Sequence, residues 1–165
     1  GLSFDRQLWM RPEIIPGLRR LTDAIHAEGA AAGIQLGHCG NMSHKSICGC
    51  MPVGASSGFN LYSPTFVRGL RADELPEMAR AYGRSVNLAR EAGFDSVEIH
   101  AGHGYLISQF LSPSTNHRKD EFGGSLQNRM RFMDMVMEEV MKAAGSDMAG
   151  EDEHARRFPW RDGTG

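Results

Sequence analysis

Apolar residues recur at helical spacing in three segments of the chain, and a glycine follows each segment. Residues 16–28, 73–92 and 125–144 are therefore predicted to form helices. Their starts carry a proline or a potential N-cap, namely Pro16, Asp73 and Ser125. The apolar positions that share a face are Leu18, Leu21 and Ile25 in the first helix, Leu75, Met78, Ala79, Tyr82, Val86 and Ala89 in the second, and Phe132, Met133, Val136 and Val140 in the third.

Short apolar runs at 33–36 and 94–100 predict β-strands between these helices. The links from helix to strand are short, whereas long loops, 41–71 and 101–124, follow the strands; a short helical piece is predicted at 106–111. The alternation predicts an α/β fold with a parallel sheet. Long loops after the strands fit a (β/α)8 barrel, whose active site they build. A doubly wound sheet is less favoured, because neither strand is followed by a glycine-rich dinucleotide fingerprint.

The composition is that of an ordinary globular protein and excludes two classes of function. Of the 165 residues, 41% are apolar and 23% are charged, and the formal net charge is −2. Since there is no basic excess and no apolar run of about 20 residues, the sequence predicts neither nucleic-acid binding nor a membrane span. Cys39, Cys48 and Cys50 are an odd number of cysteines without a disulfide framework, so the predicted location is the reducing cytoplasm.

Polar aromatic side chains gather where the second predicted strand ends, in the stretch EIHAGHGY. Side chains alternate along a strand, so His100 and His103 can converge only if the chain turns between them, which Gly102 and Gly104 permit. Two imidazoles can then donate hydrogen bonds to one oxygen atom. A tyrosine, with an ordinary pKa of about 10, is protonated at neutral pH and suits a general acid. Together with Tyr105, the two histidines can polarise a carbonyl and protonate a carbon beside it.

Two other interpretations of these residues stay open from the sequence. First, a histidine at a strand end often serves only as a structural hydrogen-bond partner. If His100 and His103 have only that role, the chain is a non-catalytic remnant. The alternative function is a zinc-dependent TIM-barrel hydrolase that uses His38, His100 and His103 as ligands. Against zinc, the CGC spacing is shorter than the usual cysteine spacing of zinc sites, and neither HExxH nor paired CxxC occurs.

Residues 93–132, GFDSVEIHAGHGYLISQFLSPSTNHRKDEFGGSLQNRMRF, resemble the signature region of the old yellow enzyme family of FMN-dependent ene-reductases. The family pattern is a strand ending in histidine, two residues, His or Asn, and Gly-Tyr-Leu, followed by QFLSP…N.R.D.(Y/F)GGS..NR.RF. Upstream, GIQLGHCG resembles the strand in which a glutamine contacts the flavin. The match in the signature region is ungapped, and the resemblance extends over residues 14 to about 149.

The resemblance implies roles for four residues. His100 and His103 match the catalytic pair that binds the carbonyl oxygen of the substrate. Tyr105 matches the proton donor, and Gln35 matches the glutamine that hydrogen-bonds the isoalloxazine edge. The implied activity is that of an oxidoreductase that transfers hydride from reduced FMN to an activated C=C bond of an enone, enoate or enoyl-CoA, with NAD(P)H as reductant. The expected partner is a small-molecule alkene.

Two further stretches, QLGHCGNM and ASSGFNLYSPTFVRGL, resemble the larger NADH-dependent members of the family from anaerobes. These are similar to 2-enoate reductases, dienoyl-CoA reductases and bile-acid 3-oxo-Δ4 reductases. Such relatives add a 4Fe-4S cluster and a C-terminal FAD/NAD domain, which a full-length parent can share but which do not match these 165 residues. Where the family commonly has QLWHAGR, Gly37 here replaces the aromatic residue and Asn41 replaces the arginine.

A complete (β/α)8 barrel takes about 250 residues. Residues 1–149 are therefore predicted to form a partial FMN-binding TIM barrel, truncated at both ends. The charged tail 150–165 is predicted to be aberrant, with a frameshift near Gly150 as the hypothesis. With half of a flavin site, the chain itself is expected to be inactive and to bind FMN weakly or not at all, whereas the full-length protein can form a homo-oligomer.

The other polar residues of the motif are predicted to hold the loop after the second strand in place: Asn116, Arg118, Asp120, Asn128 and Arg129. Ser125, in the turn FGGS, is predicted to cap the third helix. Arg129 lies at the start of that helix and needs a carboxylate partner, for which Asp120 is the predicted candidate.

Overall fold

The computed structural model describes residues 1–148, except for the side chains of Ser146 and Asp147. The helices are α1 (Ile15–Ala27), α2 (Lys45–Cys48), α3 (Leu75–Glu91), α4 (Leu106–Leu111) and α5 (Leu126–Met148), and the strands are β1 (Gly33–Leu36), β2 (Val53–Gly54), β3 (Gly58–Asn60), β4 (Thr65–Gly69) and β5 (Ser96–Ile99). The predicted aberrant tail, 150–165, and the frameshift hypothesised near Gly150 lie outside the described residues.

β1 and β5 form a parallel pair, in register from Gly33 opposite Ser96 to Leu36 opposite Ile99. The predicted strand at 33–36 is confirmed, whereas the second strand is shorter than predicted. The pairing continues by one bond beyond β5, since the His100 N–H donates to the Leu36 carbonyl at 2.8 Å. The carboxyl ends of the two strands therefore lie side by side.

One face of this pair packs against α3, α4 and α5. Ile34, Leu36, Val97 and Ile99 alternate toward that side and join its core. The fully buried anchors of the helices are Leu75 and Val86 in α3, Leu106, Ile107 and Phe110 in α4, and Phe132 and Val136 in α5. α3 and α5 approach closely at Gly83, where an added Cβ would lie 3.0 Å from the Glu139 carbonyl oxygen. The other face of the strand pair is left to polar side chains.

The buried stripe of α1 differs from the predicted one. Leu18 is buried and Ile25 packs partly against the same cluster, but Leu21 is 51% exposed, so its assignment to the core is wrong. Thr22 lies four residues after Leu18 and takes the buried position instead. Its hydroxyl donates to the Ala92 carbonyl at 2.7 Å, so the Thr22 side chain has a hydrogen-bond partner in the core. A pattern based on apolar residues alone does not predict a threonine at a buried position.

The segment 41–71 is not a structureless loop, contrary to the prediction. It contains α2 and a three-stranded sheet in the order β2-β4-β3, in which β2 runs parallel and β3 antiparallel to β4. Thr65 and Val67 are buried and Phe66 between them is exposed, which is the alternation of a strand with one covered face. Glycine and serine residues surround this short alternation, so the sequence pattern alone does not distinguish it from a loop.

Residues 1–148 thus have the predicted α/β class but close no barrel, because their parallel sheet contains two strands. The (β/α)8 barrel truncated at both ends stays a prediction. In the same part of the chain, no helix has the length and apolar character required to cross a membrane.

Candidate active site at the ends of the parallel strands

The chain leaves β5 through a tight left-handed turn. φ is 54° at His103 and 71° at Gly104, and the Tyr105 N–H donates to the Gly102 carbonyl at 3.1 Å. Positive φ at both central residues with this hydrogen bond is the pattern of a type I′ turn. Glycine adopts such a conformation freely, whereas at His103 it costs conformational energy, and strained residues of this kind cluster at functional sites.

The turn brings the two histidines and the tyrosine together. His103 Nδ1 lies 3.2 Å from His100 Nε2, and the rings of His100 and Tyr105 meet edge to face with centroids 4.9 Å apart. Two nitrogens at this separation can both reach a single oxygen atom at about 2.7–3.2 Å. Both nitrogens donate to that oxygen when His103 carries its proton on Nδ1 and His100 on Nε2.

Gln35 lies on the same face of the strand pair, directly opposite Glu98 in β5. Its Nε2 donates to a Glu98 carboxylate oxygen at 2.9 Å, and both side chains are exposed. Glu98 is not among the residues that the sequence pattern indicated for the site. The available signal was its spacing, because a residue two positions before His100 in a strand shares its face.

Gly37 keeps His100 close to the end of β1. A Cβ at Gly37 would lie 3.2 Å from the His100 Cβ, so a larger residue at this position would require His100 to move by a few tenths of an ångström. Gly37 is the position where the resemblance expects an aromatic side chain. The wall of the site is therefore built differently here from the common family pattern.

A cavity of about 530 Å³ runs along β1 and opens at this group of residues. His103 does not line this cavity, but it contacts His100, which does. The far end is apolar and lies against α1 and α3. The polar end is formed by Gln35, Gly37, His38, His100 and Tyr105.

The cavity fits the planar ring system that the resemblance implies. Its volume is within the roughly 300–1,000 Å³ of small-molecule sites, and the Gln35 amide offers both a donor and an acceptor to a ring edge. Among the described residues, its wall contains no lysine or arginine. These residues therefore suit the flavin ring but supply no cation for a phosphate group.

His38 has a structural role at the polar end of the cavity. Burial lowers the pKa of His38 to about 3. The imidazole is therefore neutral at physiological pH, and its Nδ1 accepts a hydrogen bond from the Gly40 N–H at 3.0 Å.

The zinc alternative has no set of ligands in the part of the chain that the structure describes. No group of three or more His, Cys, Asp and Glu residues in this part is arranged to hold a metal ion. His100 and His103 contact each other, whereas His38 bonds the backbone of its own turn. The zinc-dependent hydrolase is therefore not supported by these residues.

A buried glutamine fastens the histidine turn to the chain that follows β1. Gln109 is 1% exposed, and its Nε2 donates to the Gly104 carbonyl at 2.6 Å and to Asn41 Oδ1 at 2.8 Å. Its Oε1 accepts from the Asn41 N–H at 3.2 Å. The sequence did not indicate Gln109, because the hydrogen-bond partners of a polar residue inside a short apolar helix cannot be recognised from sequence.

Replacing Gln109 by leucine is expected to destabilise the fold by about 1–3 kcal/mol, because the Gly104 carbonyl and the Asn41 side chain lose their partner inside the protein. Amide hydrogen exchange at Tyr105 and Leu106 should speed up relative to wild type. Urea unfolding and exchange mass spectrometry measure the two effects. The control is Ser108→Ala, one residue away and half-buried, which should leave both unchanged; equal behaviour of the two variants would contradict the role given to Gln109.

The polar residues after α4 hold their loop, but one predicted ion pair is wrong. Asp120 pairs with Arg118, with Nη2 and Oδ2 2.5 Å apart, and not with Arg129. Arg129 instead donates to the backbone carbonyls of Leu111, at 2.7 Å, and Gly124. Leu111 is the last residue of α4, where free carbonyls carry partial negative charge and accept hydrogen bonds from a cation, so Arg129 has partners without Asp120.

The two asparagines of this loop have the predicted structural role. Asn116 is buried and donates to the carbonyls of Phe110 at 2.7 Å and Phe122 at 2.8 Å. The Asn128 side chain donates to the Gly123 carbonyl at 3.0 Å. The predicted cap at Ser125 is confirmed, since its Oγ accepts from the Asn128 N–H at 3.2 Å.

Comparison with known proteins places the chain in one family. Residues 3–159 match the NADH:flavin oxidoreductase / NADH oxidase family. The 4,4′-dithiodibutanoate disulfide reductase of Rhodococcus erythropolis is 40% identical over 142 residues, which are 86% of this chain and 35% of that protein. The NADPH dehydrogenase of Bacillus subtilis is 40% identical over 136 residues, which are 82% of this chain and 39% of that protein.

Among solved structures, the old yellow enzyme homologue from Zymomonas mobilis superposes with a TM-score of 0.83 at 35% identity. The match covers 88% of this chain and 44% of that one. The chain therefore spans less than half the length of each of these three relatives. The matches confirm the resemblance to the old yellow enzymes, and the chain belongs to the NADH:flavin oxidoreductase / NADH oxidase family.

Proposed function

We propose that this chain provides the carbonyl-binding and proton-donating part of the active site of an FMN-dependent ene-reductase. The substrate class is an activated alkene: an enone, an enoate or an enoyl-CoA. The observation that carries the proposal is the meeting of His100, His103 and Tyr105 on the face that also holds Gln35. Membership of a flavin oxidoreductase family supports the reaction class. The cytoplasmic location and the homo-oligomer stay predictions.

The histidine pair binds the substrate's carbonyl oxygen. In the structure, His103 Nδ1 and His100 Nε2 share one hydrogen bond across 3.2 Å. An oxygen that enters between them exchanges this bond for two N–H donors. Because the left-handed turn and Gln109 already hold the imidazoles in place, the donors stabilise negative charge on the oxygen with little reorganisation.

Tyr105 delivers the proton. Its ring packs edge to face on His100, so its hydroxyl is carried by a ring that is fixed relative to the carbonyl-binding pair. When bound, reduced FMN supplies a hydride to the alkene carbon remote from the carbonyl, and NAD(P)H is the source of its electrons. The phenol then protonates the carbon next to the carbonyl, a step that a positioned acid accelerates by about 10²–10⁴.

Gln35 holds the edge of the flavin ring. Glu98 accepts one of its amide protons, at 2.9 Å, and thereby sets the orientation of the amide. The second amide proton and the carbonyl oxygen stay available to a ring edge that offers both acceptors and donors. Glu98 acts in this proposal through Gln35 and does not touch the substrate.

A phenol that mimics the developing oxyanion tests the proposal on the chain itself. We expect 4-nitrophenol to bind preferentially as the phenolate, which absorbance reports directly. His100→Ala and His103→Ala should each weaken binding by about 10- to 100-fold, since each removes a hydrogen bond to a charged oxygen worth about 1.5–3 kcal/mol. His103→Asn retains an N–H donor and should restore most of the affinity.

Two controls separate binding at the pair from binding elsewhere. His44→Ala removes an imidazole that bonds Ser46, outside the cavity wall, and should leave phenolate binding unchanged. If the variant lacking both His100 and His103 binds 4-nitrophenolate as tightly as wild type, the pair does not bind the carbonyl oxygen.

The chain is expected to retain FMN poorly. The described wall of the cavity contains no lysine or arginine, so these residues leave the phosphate without a counter-charge. After dialysis of the purified chain against buffer, less than stoichiometric FMN should remain, as measured by absorbance and flavin fluorescence. A chain that stays yellow with one FMN per molecule would overturn this expectation.

A further inference from the structure

The CGC sequence at residues 48–50 forms a compact turn that the flavin site does not use. Cys48 is the last residue of α2, and Gly49 follows it in the left-handed conformation, with φ 71° and ψ −4°. The Gly49 N–H donates to the Lys45 carbonyl at 2.9 Å, which closes the helix. A residue with a side chain would be strained at Gly49, so the glycine permits the reversal that returns Cys50 to Cys48.

The reversal brings the Cys48 thiol into contact with the backbone of Cys50. The Cys48 thiol donates to the Cys50 carbonyl at 3.0 Å and to the His44 carbonyl at 3.3 Å. A helix-like bend at the middle residue keeps the outer Cα atoms within the roughly 4.4–6.8 Å that a disulfide requires. The spacing of the two Cα atoms therefore permits a disulfide between Cys48 and Cys50.

The two thiols differ in their environment. Cys50 is exposed and Cys48 is half-buried, so both are open to a small reagent. Partial burial acts to raise the pKa of Cys48, but hydrogen bonds from the Cys50 backbone, the Ser43 side chain and the Cys50 thiol outweigh it, and the pKa is lowered. The hydrogen bond to Cys48 raises the pKa of Cys50, and burial adds to this. Cys48 is therefore the first of the two to ionise.

The third cysteine and a metal centre do not account for this arrangement. Cys39 is buried, and its thiol donates to the Gly1 carbonyl at 3.0 Å. In the described part of the chain, Cys48 and Cys50 belong to no group of three or more His, Cys, Asp and Glu residues that could hold a metal. Two adjacent, unequal and accessible thiols are instead the arrangement of a nucleophile and a resolving partner.

We propose that Cys48 and Cys50 form a redox-active dithiol that reduces low-molecular-weight disulfides. The Cys48 thiolate attacks one sulfur of the disulfide, which gives a mixed disulfide and releases the first thiolate; this takes up a proton. Cys50 loses its proton and attacks Cys48 Sγ, which forms the Cys48–Cys50 disulfide and releases the second thiol. Two cysteine thiols are oxidised, one external disulfide is reduced to two thiols, and no flavin takes part.

The test uses the purified chain without FMN, equilibrated with reduced and oxidised glutathione at a series of ratios and then alkylated. Trypsin places Cys48 and Cys50 together on the peptide 46–68 and Cys39 on the peptide 21–45. We expect the first peptide to lose two hydrogens and to resist alkylation as the oxidised fraction rises. Cys39 should stay reduced, and the Cys39→Ser variant should behave as wild type.

Single variants resolve the order of the two steps. Cys50→Ser should accumulate glutathione on Cys48, because the resolving thiol is missing. Cys48→Ser should react several-fold more slowly than Cys50→Ser, because the remaining thiol is the less ionised one. The proposal is overturned if wild type carries only separate glutathione adducts or free thiols at every ratio. It is equally overturned if the chain unfolded in urea closes the disulfide as fast and as completely as the folded chain.

Discussion

Replacement of Tyr105 by phenylalanine is expected to slow alkene reduction by about 10²–10⁴, equivalent to about 2.7–5.5 kcal/mol of activation free energy. The substitution removes the hydroxyl that we propose as the proton donor and keeps the ring that packs on His100 with centroids 4.9 Å apart. The histidine pair therefore keeps its geometry, and substrate affinity should change little. The loss should appear in kcat and not in KM.

This measurement needs a protein with stoichiometric FMN. Residues 14–148 can be grafted in place of the matching segment of the Zymomonas mobilis homologue, with which the chain superposes at a TM-score of 0.83. Stopped-flow absorbance then separates the NAD(P)H half-reaction from the reaction with 2-cyclohexen-1-one. Tyr105→Phe should slow only the second, and Tyr62→Phe, at a position that is 90% exposed, should slow neither. Equal alkene rates with and without the Tyr105 hydroxyl would remove Tyr105 from the mechanism.

Replacement of Arg118 by methionine is expected to destabilise the fold by about 3–5 kcal/mol. The Arg118 side chain is 8% exposed and donates to Asp120, to the Ala55 carbonyl at 3.0 Å and to the Leu70 carbonyl. Its guanidinium also lies 5.6 Å from the centre of the Phe110 ring. Methionine fills much of the space but leaves one carboxylate and two carbonyls without their hydrogen-bond donor. Polar groups that stay buried without a partner destabilise the folded state.

Urea unfolding followed by circular dichroism gives the free-energy difference. Arg80→Met is the matched control, because Arg80 pairs with Glu77 on the surface, where both side chains are more than half exposed. It should cost less than about 1 kcal/mol. If the two variants lose the same stability, the loop after α4 does not depend on Arg118.

Lowering the pH should reduce the difference in the free energy of unfolding between wild type and the Arg118→Met variant. The Arg118 guanidinium holds the pKa of Asp120 below its ordinary value of 3.8, although partial burial opposes this. A carboxyl group with a lowered folded pKa contributes stability that is complete above its unfolded pKa and is lost as the pH falls through the folded value. The stability gap measured near neutral pH should therefore shrink below about pH 4.

The elements that the sequence predicted best are those whose pattern is local. The strand at 33–36 and the helix at 106–111 were placed at their observed bounds, because each depends on a short apolar run between turn residues. The prediction failed where a polar residue takes a core position. Thr22 is buried in place of Leu21, because its hydroxyl bonds a carbonyl 70 residues away.

In the candidate site too, the residues close together in sequence were predicted and those with distant partners were not. The histidines and Tyr105 lie within six consecutive residues, so the sequence indicated them, and their convergence needed only the turn at Gly104. Glu98 and Gln109 were missed, because their partners are 63 and 68 residues away in sequence. A pairing across such a distance depends on which strands become neighbours and in which register.

By itself, the sequence determined the order of the three long helices and of the two parallel strands between them, the α/β class, and the group of two histidines and a tyrosine at the end of the second of these strands. These follow from spacing and from side-chain chemistry, which are properties of neighbouring residues. Only the tertiary structure decided that Gln35 lies opposite Glu98, that Arg118 and not Arg129 pairs with Asp120, and that Cys50 folds back on Cys48. Those contacts depend on strand register, burial and chain reversal, because a polar group in a folded chain bonds the partner that the packing brings within reach.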